Sequence, residues 1–124
     1  MSWLGQNVDL GSGPTLVRLA AGGFFLPHVY AKLSGSGTVV FFEAAGFRPP
    51  ALWMYLACVI ETAVAFSLLS NVLVRYFSIL GAVHLLVAGA AVYVVSRGKW
   101  LWNMGGFEYC VFWAICCAAV AINA

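Results

Sequence analysis

The sequence predicts an all-α integral membrane protein, a four-helix bundle with a short interfacial segment between its first two spans. Composition and the grouping of apolar residues predict it. Of the 124 residues, 64% are hydrophobic and only 8% are charged, where an average soluble domain carries roughly a quarter charged residues. A soluble fold of this size buries about two-thirds of its surface, so the remainder would face water as large apolar patches. Lipid is the solvent that fits. The apolar residues gather in four stretches of about the 20 residues that cross a bilayer. Disorder, nucleic-acid binding and a secreted disulfide scaffold need charge or cysteine density that is absent here. The net charge of +2 names no partner.

The first span covers residues 15–33, opened by Gly11-Ser12-Gly13-Pro14 and closed by Ser34-Gly35-Ser36-Gly37. The second, 51–70, follows Arg48-Pro49-Pro50, and proline suits a first helical turn. The third, 76–96, contains no Asp, Glu, Lys or Arg. The fourth is expected to start at Gly105-Gly106 and to run to Ile122. Four spans of roughly 20 residues use about 80 of the chain, so the expectation is one membrane domain over residues 1–124 with nothing large outside it.

A closed barrel would need strands alternating with period two, and Ile79 to Val95 does not alternate. Met1-Ser2-Trp3 lacks the basic region of a signal peptide and Asp9 precedes the apolar stretch, so the first span is expected to be retained. Between spans one and two, Thr38 to Phe47 is too short to cross and too apolar for a free loop. It reads as a short interfacial helix capped by Thr38 and ended by Gly46, or as a loop packed over the bundle mouth. Trp53, Tyr55, Tyr76, Trp100, Trp102 and Tyr109 fall at headgroup depth and read as depth markers. Arg48, Arg97, Lys99 and Lys32 outnumber Arg75 and Arg18, which places both termini outside and the one–two and three–four loops in the cytoplasm.

Ionisable side chains at membrane depth are costly and so are functional candidates. The set is Arg18, His28, Lys32, Glu61, His84, Glu108 and Tyr109. His28 and Lys32 are one turn apart, and Arg18, Phe25 and Lys32 fall within about 40° of one another at 100° per residue, so they share a face of the first helix. On that helix Pro27 frees the carbonyl of Gly23. By depth, Lys32 and Glu108 lie at one end and can pair, whereas Glu61 and His84 approach the midplane. A carboxyl so far from water is expected to be neutral or paired with a cation, so Glu61 either stays protonated or meets His84 or the long arm of Arg18. Such groups serve either as glue between helices, worth roughly 1 kcal/mol each, or as a ligand or proton site. His28 and His84 sit at different estimated depths, which argues against a haem.

Cys58, Cys110, Cys116 and Cys117 have no CxxC spacing; Cys116-Cys117 point about 100° apart and Cys110 and Cys117 lie two turns apart, so packing is expected, not disulfides. No phosphate loop, nucleophile elbow, zinc spacing or dinucleotide fingerprint occurs. No metal site and no catalytic residue are assigned.

In order along the chain, Leu16-Val17-Arg18-Leu19, Phe24-Phe25-Leu26-Pro27-His28 with Lys32, Phe41-Phe42-Glu43-Ala44-Ala45-Gly46-Phe47-Arg48-Pro49-Pro50, Glu61, Arg75 and Gly106-Phe107-Glu108-Tyr109 resemble the DoxX family of small bacterial membrane proteins over residues 15–120. The resemblance implies a four-helix bundle in the bacterial inner membrane and a link to redox chemistry, since relatives are associated with a terminal quinol oxidase, a thiosulfate:quinone oxidoreductase and oxidative-stress complexes. It points to Arg18, His28, Lys32, Glu61, Arg75, Glu108 and Tyr109. Three functions are expected from these readings. The first is an accessory or assembly subunit of a membrane redox or energy-converting complex, with partner membrane proteins or further copies of itself. The second is a quinone-binding oxidoreductase subunit, with quinone as cofactor, Lys32 or His28 bonding a quinone oxygen and Glu61 or Glu108 relaying protons. The third is a small permease or lipid carrier.

Overall fold

The computed structural model describes residues 11–35 and 37–124. The reading of the N-terminus from Met1 and Asp9, and Ser36 of the second breaker run, lie outside the described residues. Every regular element among the described residues is a helix.

The first predicted span is two helices, α1 (Gly13–Gly23) and α2 (Phe25–Leu33), where one was expected. Ser12 starts α1 by accepting the Thr15 N–H at 3.4 Å, with Pro14 in the first turn, where its missing N–H costs nothing. The break falls at Phe24. Pro27 cannot donate to the Gly23 carbonyl and its ring crowds that oxygen, so the helix ends and restarts one turn before the proline.

The interfacial segment is helical, α3 (Gly37–Ala44). Thr38 lies within its first turn and not at its cap. Gly46 ends it as expected, at φ +97°: the Phe47 N–H reaches back to the Phe42 carbonyl and the Gly46 N–H to that of Glu43, the left-handed stop that glycine favours. Then come α4 (Pro50–Ser70) and α5 (Val74–Ser96), joined by a tight turn with Asn71 and Leu73 in the left-handed region. These two helices are long and apolar enough to cross a membrane.

The last helix, α6 (Glu108–Ile122), starts later than Gly105-Gly106 and has 15 residues. The glycines belong to the preceding connection. Gly105, at φ +77°, closes a short 3-10 turn over Trp102–Met104. A Cβ on Gly106 would stand 2.3 Å from the Trp100 carbonyl carbon, so only glycine lets the chain fold back there. Backbone bonds from Phe107 to Lys99 and from Glu108 to Trp100 tie the returning strand of this loop.

Helices α5 and α6 make the most extensive contact; α1 packs on α4 and α6, and α2 and α3 pack on α4. Small residues set the closest approaches. A Cβ on Gly22 would lie 2.6 Å from Leu68 Cβ, and one on Gly81 would lie 3.1 Å from Val64 Cγ1 and 3.4 Å from Cys117 Sγ. Between apolar helices in lipid, such contact stabilises through dispersion and not through water release. Phe25, Val64, Leu68 and Cys117 form the buried centre, while Phe66, Phe112 and Ile115 face outward.

Candidate functional site

Glu61, the twelfth residue of α4, is 5% exposed and carries a partner on each oxygen. Lys32 Nζ, reaching from α2, lies 3.0 Å from Oε1, and His84 Nε2, from α5, lies 2.7 Å from Oε2. A carboxylate only accepts hydrogen bonds, so both nitrogens donate. The arrangement balances the lysine charge against the carboxylate in a place with little water and joins three helices through side chains alone.

This cluster forms part of the wall of a cavity of about 480 Å³ between α2, α4, α5 and α6. The other walls are aromatic. His28 and Tyr109 stand with ring centres 6.4 Å apart and nearly parallel planes, and Trp113 lies 5.0 Å from His28 and 4.3 Å from Phe25. The Trp113 indole N–H is satisfied by the Ala21 carbonyl at 2.9 Å, which fixes the ring. The ring nitrogens of His28 make no hydrogen bond among the described residues, and the side chain is exposed on the cavity. Thr38, Phe41 and Phe42 of α3, with Phe47, line the space at its α3 end, so this short helix packs over the bundle mouth.

Of the seven residues singled out in the sequence, Lys32, Glu61 and His84 meet, and His28 and Tyr109 line the same cavity. Two do not join them. Lys32 pairs with Glu61 and not with Glu108, because its four-carbon stem lets the ammonium reach inward beneath α3. Glu108 instead accepts the Trp102 backbone N–H at 2.8 Å at the bundle end. Arg18 does not reach Glu61; it is 6% exposed and donates to the Leu68 carbonyl near the Asn71 turn. There it lines a second pocket of about 300 Å³ with Asn71 and Asn123. Arg75 donates to the Ala124 carbonyl at 2.8 Å at that same end. All four cysteines are free thiols, and Cys110 borders the main cavity.

Tyr109 belongs to the candidate set, but the rest of the aromatic wall escaped the sequence reading: Trp53 reads there only as a depth marker and Trp113 is not singled out at all, yet both line the cavity. A signal for it existed: Tyr109 and Trp113 are four residues apart, hence on one face of α6.

Apolar helices around a buried ion pair and an aromatic cavity define a small helical membrane protein with a polar interior. The family model described as DoxX matches residues 13–94, two-thirds of the chain, and the protein belongs to that family. The matched stretch contains α1 to α4 and most of α5, hence every member of the Lys32–Glu61–His84 cluster, and ends before α6. No curated protein and no solved structure matches the chain.

Proposed function

We propose that the chain crosses the bacterial inner membrane four times, with α1 and α2 together as the first crossing and α6 as the last, and binds a quinone in its main cavity. One observation carries the reading: a cavity of about 480 Å³ that sets aromatic rings, and an imidazole whose nitrogens bond nothing among the described residues, beside a charged cluster. Its volume falls in the range of small-molecule sites, roughly 300–1,000 Å³. A flat ring stacks on Trp113, a carbonyl oxygen accepts from His28, and the Glu61 cluster supplies the proton-holding groups that quinone reduction requires. The place of such a subunit is within a larger redox complex, where the outward apolar residues Phe66, Phe112 and Ile115 seat lipid or a neighbouring helix.

Mass spectrometry of the protein purified from its native membrane in mild detergent tests both parts. Quinone at near-equimolar ratio is expected, and His28→Phe, which keeps the stacking ring, is expected to lose it while unfolding at an unchanged temperature. Quinone-free wild-type protein with stoichiometric partner polypeptides reduces the function to assembly alone. Transport of lipid by the solitary protein in vesicles makes it a carrier.

A further inference from the structure

The main cavity is walled on one side by two matching stripes. Trp53, Leu56 and Ile60 follow one another at i, i+3 and i+7 along α4, and Leu80, Val83 and Val87 do the same along α5. That spacing keeps each set on a single helix face. Both sets line the cavity, and most of their members also lie open on the outside of the bundle: Leu56 is 45% exposed, Val83 53% and Val87 51%. A side chain that borders an interior space and the outer surface together marks an opening. Behind the stripes, Ala57, Ala88 and Ala91 leave room that larger residues would fill, and Glu61 and His84 stand at the inner end. Towards the Asn71 turn the opening is shut, because Val64 meets Gly81 there. Towards the α3 end it is roofed by Phe41, Phe42 and Phe47.

We infer that the cleft between α4 and α5 is a lipid-side doorway that holds the apolar tail of the ligand, so the site takes a long-tailed amphiphile drawn from the bilayer. This rests on the reading above that the head group lies among His28 and the Glu61 cluster. The roof presents apolar rings to the aqueous side, whereas the cleft offers branched aliphatic side chains to the acyl phase. An isoprenoid or acyl chain in the cleft contacts protein on two flanks and lipid on the third. Dispersion contacts of that kind are individually small and sum along a chain. A head group without a tail lacks them.

Equilibrium binding in detergent of two quinones with one head group, the first with a long isoprenoid tail and the second with a methyl group in its place, tests the doorway. Wild-type protein is expected to bind the tailed quinone more tightly. Val83→Trp is expected to weaken the tailed quinone by roughly tenfold and the methyl form by less than about twofold. Leu86→Trp, also exposed on α5 but off the cavity, is the size control and should change neither. Should Val83→Trp fail to fold, Leu56→Trp on the facing stripe carries the same expectation. Equal affinity of wild type for both quinones, or an unchanged tailed affinity in the tryptophan variant, overturns the doorway and leaves the head-group reading standing. If wild type binds neither quinone, the lipids it carries from its membrane decide. A bound single-chain lipid lost in Val83→Trp keeps the doorway and rejects the quinone, and no bound lipid rejects both.

Discussion

The half of the molecule near the Asn71 turn and the half near α3 are built from the same helices by opposite means. Near Asn71, glycines bring backbones together: Gly22 fits under Leu68, and Gly81 under Val64. Polar side chains in that half turn to main-chain oxygens. Arg18 donates to the Leu68 carbonyl, Ser67 to that of Val72 at 2.5 Å, and Ser78 to that of Val74. Near α3 the helices part around a cavity, and Lys32, Glu61 and His84 satisfy one another. A main-chain carbonyl is fixed by the backbone that carries it and cannot follow a ligand, whereas three side chains from three helices can re-pair when one arrives. The difference teaches where to look for chemistry in a bundle with polar groups at both ends.

The comparison breaks most visibly at Lys32. Replacing it by Met leaves the Glu61 carboxylate with His84 alone, and a cost of about 3 kcal/mol is expected in thermal unfolding in detergent. The double variant Lys32→Met with Glu61→Gln removes the unbalanced charge and should recover more than half of that loss. Strictly additive effects would mean that the two groups do not act as a pair. A smaller loss, about 2 kcal/mol, is expected for Gly22→Ala, because its Cβ must displace Leu68 and the α1–α4 spacing with it. An unchanged unfolding temperature would show that the close approach does not hold this half together. Ser78→Ala should cost least, under about 1 kcal/mol, since its hydroxyl adds a second donor to a carbonyl one turn back on its own helix. A loss as large as that of Lys32→Met would erase the contrast between the halves.

Much of this plan was legible in the sequence, unevenly. The bounds expected for the second span, 51–70, match α4 (Pro50–Ser70) within a residue, because a proline pair and an asparagine bracket one apolar run. The first span is helical over the expected stretch but interrupted at Phe24. Pro27 was visible, but composition alone does not say whether a proline bends a helix or breaks it, and here the neighbouring Gly23 and Phe24 let it break. Gly105 and Gly106 looked like a helix start and instead permit a loop that folds on itself. Depth along an axis found Glu61 and His84 as the central polar groups, yet depth carries no azimuth and no side-chain length, so Lys32 was matched to Glu108. The aromatic wall stayed hidden for a related reason: a tryptophan near a span's end serves lipid headgroups or a cavity, and only the packing of four helices decides which.

The unequal lengths of α5 and α6 bear on the bilayer itself. They lie side by side in the most extensive contact of the fold, with 23 and 15 residues, or about 34 Å and 22 Å at 1.5 Å per residue. A hydrocarbon core is about 30 Å thick. With both helices as crossings, lipid meets a long flank beside α5 and a short one beside α6, and hydrophobic mismatch thins the leaflets on one side of the molecule alone. On the proposed four-crossing arrangement the protein would lean in the membrane, and a neighbour whose own helices are short would find its best-matched lipid at the α6 face.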